Sequence, residues 1–363
     1  MALEVSVTDS IENVNSNQWN NVVEQSTLAC VYHRYEWLSA IEAGLPHEPR
    51  HFVVTKKNNP VAVFPNFVTP LGRVKRLSSI RPGFGGPVVT TDEERAVTLL
   101  LDAAADSCRG TVLFSELRPY DQGYVRYHEL LTGRGYSPAI LSTRFRLELT
   151  RGLNDIFAEM DGERRRGIRR GHDREFEIVD ERVDERTLAA FYDDYATVQA
   201  RVDQPTLPRS FFLALDRFED RVKVFSLHAD GDRRGMFLYL LDDEQSTLQH
   251  VFTAVTEAHF AYRTPELLHE HAIRWGIENG YETYELRGSP SDFRNGVFRF
   301  KELFGAQPVP QLVYERGRPA SALFLLNAGR SLARRIRYWA NAIPEPIRAP
   351  VLDRDGVLTR QIR

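Results

Sequence analysis

Residues 284–310 read YELRGSPSDFRNGVFRFKELFGAQPVP, and the core of this stretch occurs twice in the chain. Glu285-Leu286-Arg287 ends one strand-like run, and Glu116-Leu117-Arg118 ends another. Each is followed by a matching segment, GVFRFKELF from Gly296 to Phe304 and GYVRYHELL from Gly123 to Leu131. Aligned without gaps, the two share Gly, Arg, an aromatic residue, Glu, Leu and a final apolar residue. Gly305 and Gly133 follow close behind. The later copy has eight residues between its arginine and its glycine where the earlier copy has four. Two linked matches at the same place in the order of elements point to an internal duplication.

Around these anchors the chain alternates helix and strand patterns. In the first half the pattern predicts a helix over 35–43 and a hairpin over 51–70 about Asn58-Asn59-Pro60. A helix over 91–105 follows, with Asp92 to Glu94 at its positive end. A strand over 111–117, a short helix over 124–132 and a strand over 140–149 complete this half. The second half repeats the order. It has charged helices over 154–171, 185–199 and 208–217, then a hairpin of 222–228 and 234–241 about Asp230-Gly231-Asp232. A strand over 247–253, a helix over 265–278 and a strand over 283–287 come next, then a short helix over 295–304 and a closing strand over 309–314. This order predicts an α/β protein with mixed sheets. Two similar lobes, 1–150 and 151–318, lie side by side with a cleft between them, and a helical tail follows over 319–363.

At 363 residues, 42% hydrophobic and 11% aromatic, the chain is long enough for two domains with substantial cores. A net charge of −3 argues against a nucleic-acid coat protein. Cys30 and Cys108 are the only cysteines, too few for a disulfide framework or a cysteine zinc site. His269 and His271 are two apart on a predicted helix and face differently, so no metal site is expected. The start MALEVSVTDSIENV lacks a basic stretch followed by an apolar one, and no apolar run reaches the roughly 20 residues that span a bilayer. A cytoplasmic location is expected.

Duplicated mixed α/β halves, with ELR strand ends and an FK-x-x-FG helix, resemble the FemAB/FemX group of peptidoglycan-bridge aminoacyltransferases. They also resemble the related GNAT-type "acetyltransferase 6" proteins. The likeness covers roughly residues 15–315. It is sharpest over 284–310 and is supported by RPGFGGP at 81–87, ERRRGIRRGH at 163–172 and Phe211-Phe212. The resemblance implies a double-GNAT fold and transfer of an acyl or aminoacyl group to an amine. The implied acceptor is a sugar, peptide or lipid-linked precursor of the cell envelope or of polysaccharide. The implied donor is acyl-CoA or aminoacyl-tRNA.

Amide formation needs a neutral amine, a polarised carbonyl and close contact between them. Lys301 matches the family's FK lysine and is the first candidate, to stabilise an oxyanion or neutralise donor phosphate; otherwise it is a solvated helix lysine. His128 stands in its place in the earlier copy, which puts the chemistry in the second half. Asp292 and Glu285 are candidate proton acceptors. Arg118 and Arg287 end the paired strands, where arginines suit capture of phosphate or carboxylate. Arg165 and Arg169 share a face of the arginine helix and suit a diphosphate-linked substrate or tRNA backbone. Arg81 and Phe84 are candidate lining for a sugar or donor pocket. Gly296 and Phe300 belong to the segment of sharpest resemblance and are candidate substrate- or donor-binding residues.

Simple GNATs carry a [QR]-x-x-G-x-[GA] loop that cradles pyrophosphate, whereas the corresponding residues here read EAHFAYRTP, without glycine. The donor is therefore open. So is a second reading, a catalytically idle GNAT-like binding or scaffold module. The tail mixes Leu323, Phe324, Leu325, Leu326, Leu332, Ile336, Trp339 and Ile343 with arginines at 330, 334, 335 and 337. Such a basic amphipathic helix suits either peripheral contact with the inner face of the membrane, with Tyr338 and Trp339 at the interface, or packing against the core or a second subunit.

Overall fold

The computed structural model describes residues 2–202 and 204–342, with side chains of the last helix described as far as Leu332. Eleven strands form one continuous sheet through both halves. Its order runs Glu177–Glu181, Val222–Ala229, Asp232–Asp242, Thr247–Ala254, Thr283–Glu285, Ser137–Glu148, Gln307–Gly317, Val112–Leu117, Val74–Ser79, Asn66–Leu71 and Glu48–Pro49. A four-stranded sheet of Glu4–Thr8, His51–Lys56, Asn59–Phe64 and Val88–Val89 covers the first half.

The last strands of the two halves are exchanged. Ser137–Glu148 pairs with Thr283–Glu285 of the second half, placing Leu147 opposite Tyr284. Gln307–Gly317 pairs with Val112–Leu117 of the first half, placing Tyr314 opposite Leu117. The two exchanged strands also pair with each other, antiparallel, from Gln307↔Arg146 to Glu315↔Ser137. The repeated ELR segments thus meet equivalent neighbours, since the Leu286 amide donates to the Phe145 carbonyl at 2.9 Å.

Local chemistry accounts for most elements. Asp230 and Gly231 both adopt left-handed backbone, the condition for a tight two-residue hairpin turn. The earlier hairpin turns at Lys57 and Asn58, one residue before the expected centre, because these two hold the positive φ values. The helix expected over 154–171 is two helices, Leu153–Glu159 and Gly162–His172. The Asp161 side chain accepts from the Glu163 amide and starts the second helix afresh. The strand expected over 283–287 stops at Glu285, because Arg287 turns into left-handed backbone at φ 48°. The strands Glu4–Thr8, Val74–Ser79 and Glu177–Glu181 and the helix Ser16–Gln25 add to the elements read from the sequence.

Three clusters of buried apolar residues hold these layers. Helix Glu93–Ser107 packs on the first half through Ala96, Val97, Leu100, Leu101 and Ala104. Helix Thr264–Glu278 does so in the second half through Leu267, Leu268, Ala272 and Ile273. The third cluster bridges the halves. Trp37 meets Phe211 edge-on at 5.7 Å and lies 6.2 Å from Phe218. Truncating such a buried aromatic costs about 3–5 kcal/mol, so this cluster fixes how the halves sit together.

The tail helix Ala320–Ala342 packs on the closing strand, with Leu323 buried against Gly317 and Arg330 bonded to Glu315 at 2.7 Å. Phe324, Leu325 and Leu332 remain exposed. The expectations for the side chains of Arg334, Arg335, Ile336, Arg337, Tyr338 and Trp339, and for Ile343 and all that follows, lie outside the described residues.

Candidate functional site

Each half contains a fork where two parallel strands part. In the second half, Thr247–Ala254 pairs with Thr283–Glu285 for three residues, ending at Gln249↔Glu285. Beyond that point His250 to Ala254 follow the neighbouring strand, while Leu286 and Ser289 bond to Phe145 and Thr143 of the exchanged strand. A register shift near Val251 bulges the first arm. Such a bulge leaves a residue out of the ladder and re-aims its neighbours. In the first half, Val74–Ser79 and Val112–Leu117 part after Ser78↔Glu116. There the gap is closed, because the Gly85 amide donates to the Arg118 carbonyl at 2.8 Å and the Arg118 amide donates to Ser79 Oγ. Only the second fork keeps its arms apart.

Lys301 stands beside the open fork. It is 6% exposed, and its Nζ donates to the carbonyls of Arg287 and Gly288, each at 2.8 Å. It is therefore not a solvated helix lysine. The left-handed turn at Arg287 brings these two carbonyls together. Burial, helped by Arg287 and opposed by Glu285, pushes the amine down to about 7. Two N–H donors serve two carbonyls, and the third position holds a proton or a lone pair according to pH. Arg287 is exposed, with its guanidinium 5.3 Å above the Phe252 ring. Among the described residues no carboxylate pairs with it. The left-handed backbone of a non-glycine residue stores about 1–3 kcal/mol of strain, of the kind that collects at functional sites.

Glu285 is buried and accepts from Tyr120 Oη and from Arg144 Nη1, both at 3.0 Å. Its carboxylate is thus held by an ion pair and a phenol. Arg144 lies 4.2 Å over the Tyr120 ring and 5.5 Å from the Phe84 ring. Phe84 in turn packs against Tyr32 at 5.4 Å and Tyr120 at 5.7 Å. One aromatic layer thus connects the two forks. On the first-half side of this layer, Arg81 bonds Glu116 at 2.7 Å and Arg118 approaches the same carboxylate at 3.9 Å.

The remaining candidates fall elsewhere. Asp292 lies in an outer turn, where its oxygens accept from the backbone and guanidinium of Arg294. Gly296 opens its helix under the Asn295 cap, with open space where a Cβ would be. Phe300 packs under Arg164, whose guanidinium lies 4.0 Å from the ring. On the arginine helix, Arg165 donates to the Ala158 carbonyl and Arg169 is exposed. The buried member is Arg164, paired with Glu266 at 3.2 Å. Sequence reading placed Arg164 in the basic cluster without singling it out, and passed over Arg144, which alternates with Phe145 and Leu147 as if on a solvent face.

Glu266 bears on the donor. It sits in the first turn of helix Thr264–Glu278, where simple GNATs place pyrophosphate, and its carboxylate is bonded to Arg164 and Arg263. The helix end already has its anion, so a coenzyme A pyrophosphate does not fit that cradle. The described residues hold no cluster of three or more metal-ligating side chains.

Residues 158–302 match the family described as acetyltransferase (GNAT) domain. No curated protein matches the chain in sequence. Among solved structures, FemX aligns over 85% of this chain and 96% of its own, at 12% identity and a TM-score of 0.65. A tandem GNAT protein from the clavulanic acid biosynthesis pathway aligns over 87% and 98%, at 11% identity and 0.54. The C-terminal domain of a putative lysylphosphatidylglycerol synthetase from Agrobacterium fabrum aligns over 85% and 94%, at 13% identity and 0.54. At these identities the likeness speaks to the fold, which is a tandem GNAT-like one. The match to the GNAT acetyltransferase domain lies within the second half, beside the open fork. No helix among the described residues is long and apolar enough to cross a membrane.

Proposed function

We propose that the protein transfers an acyl or aminoacyl group to an amine of a sugar, peptide or lipid-linked envelope or polysaccharide precursor, at the open second fork. The observation that carries this reading is Lys301, a buried amine lowered to about 7 beside the parted strands and bonded to the Arg287 and Gly288 carbonyls. The acceptor nitrogen attacks the donor's carbonyl carbon, forming the C–N bond and an oxyanion. Collapse breaks the bond to the donor's sulfur or oxygen, which leaves with its electron pair. The proton lost by the nitrogen passes to a base and then to the leaving group. Neutral Lys301, its two N–H groups held by the Arg287 and Gly288 carbonyls, accepts that proton on its lone pair and returns it to the leaving group. Arg287 holds an anionic end of a substrate over Phe252.

The occupied cradle at Glu266 favours aminoacyl-tRNA, or an acyl donor held elsewhere, over coenzyme A gripped in the usual loop. The same feature favours the second reading, an idle binding module. The exposed Phe324, Leu325 and Leu332 of the tail helix support peripheral contact with the inner face of the membrane. Purified protein assayed with acyl-CoA and with aminoacyl-tRNA donors against amino-sugar and peptide acceptors tests the proposal. Turnover lost on Lys301→Ala supports it; no turnover with either donor leaves the binding module.

A further inference from the structure

Three guanidinium groups in the first half share one carboxylate. Glu116, 3% exposed, accepts from Arg76 Nη1 at 2.7 Å, from Arg81 Nη2 at 2.7 Å and Nε at 3.1 Å, and from Ser78 Oγ at 3.2 Å. Arg118 Nε stands 3.9 Å away, beyond hydrogen-bond distance. The side chains of Arg76, Arg81 and Arg118 are 11%, 31% and 16% exposed. Glu315 neighbours Arg76 but is bonded to Arg330. Among the described residues, the cluster therefore holds three positive charges against one negative charge of its own.

The chemistry of these groups reflects the imbalance. Burial works to raise the Glu116 carboxyl, but Arg81, Arg76 and Arg118 outweigh it and hold it at about 2. Burial and the charge of Arg81 push Arg118 down to about 9 and Arg76 to about 10. Both Arg118 Nε and Arg76 Nε are buried donors without an acceptor. Buried donors and buried cations left unmatched are costly, and a bound anion removes both costs together. One negative charge would leave a surplus, whereas two match it. Planar guanidinium forks on a shared carboxylate also leave adjacent edges suited to paired phosphate oxygens.

We propose that the cluster of Arg76, Arg81 and Arg118 around Glu116 is a diphosphate-binding site, reached past the exposed edge of Arg81. The site lies against the aromatic layer of Phe84 and Tyr120 that leads to Glu285 and the second fork. Its role there, which rests on the catalytic reading above, is to anchor a diphosphate-bearing substrate in the first half while its reactive end reaches the second. The binding itself needs no catalysis.

The test is calorimetric titration and thermal unfolding of the full-length protein with inorganic pyrophosphate, at low and physiological salt. Pyrophosphate is expected to raise the unfolding temperature and to bind more weakly as salt increases. Arg118→Gln leaves Glu116 its two short ion pairs, so the variant folds, and it should bind at least tenfold more weakly. Arg81→Lys keeps the charge but loses the fork and should fall between. Arg109→Gln, a surface change elsewhere, should bind as the parent does. Competition then distinguishes the source of the diphosphate: displacement by a nucleoside-diphosphate sugar assigns it to the acceptor, and displacement by coenzyme A to the donor. No stabilisation by pyrophosphate, or equal binding by Arg118→Gln and the parent, overturns the proposal. A protein that turns over no donor yet binds pyrophosphate through Arg118 refutes the catalytic reading and keeps this one.

Discussion

Arg144, on the last strand of the first half, donates to Glu285, at the repeated strand end of the second half, at 3.0 Å, with both side chains at most 4% exposed. Arg144 Nη2 also donates to the Tyr120 carbonyl at 2.6 Å. Arg144→Met leaves a buried carboxylate without its cation and is expected to cost about 3–5 kcal/mol of stability by denaturant unfolding. Arg144→Met combined with Glu285→Leu should recover most of that loss. A double variant no better than the single one would show that the pair is not the source of the cost.

Lys301→Ala is expected to lower turnover about 10²–10⁴-fold while the fold persists, as for loss of a general acid or base. In the parent protein the rate should change through pH about 7, where Lys301 exchanges its proton. A rate profile flat from pH 6 to 8 counts against this role.

The same lysine predicts how stability varies with pH. Unfolding returns its pKa from about 7 to the ordinary 10.5. Between these values the unfolded chain binds more protons than the folded one, so stability contributed at this position rises with pH across the window. Denaturant midpoints measured from pH 7 to 10 should show that rise, and Lys301→Met should reduce its slope.

Arg287→Gly separates binding from backbone strain. Glycine accepts the left-handed backbone at φ 48° freely, so stability should hold or increase by about 1 kcal/mol. Loss of the guanidinium should raise KM for an anionic substrate roughly 10–100-fold, the worth of a charged hydrogen bond. An unchanged KM would remove Arg287 from the binding site.

Asp292→Asn should leave turnover within about twofold, as expected of a surface position, because the carboxylate serves only the turn at Arg294. A large loss of turnover would return this aspartate to the site.

The duplication and the alternation of elements were legible because ELR and the aromatic-rich helix are local signals. Lys301 became a candidate only through resemblance; nothing in GVFRFKELF shows that its amine is buried under two carbonyls. Arg144 was hidden for another reason. Its strand alternates as a half-exposed strand does, yet Arg144 is covered by Phe84 and Tyr120 from two separate loops. The same holds for Glu116, whose three arginine neighbours come from separate positions in the chain. Strand exchange was invisible, since pairing partners of a strand depend on topology that no local pattern encodes.

That exchange has a consequence for the origin and handling of the molecule. Each half lends the other its final strand, as two subunits do in a domain-swapped dimer whose chains have been joined end to end. Cutting at residue 150 would separate neither half cleanly. It would strip Thr283–Glu285 of its partner strand and leave raw edges on both fragments, and such edges recruit foreign chains. The two halves are therefore obligate cohabitants, and a single-copy ancestor with this topology would have had to work in pairs.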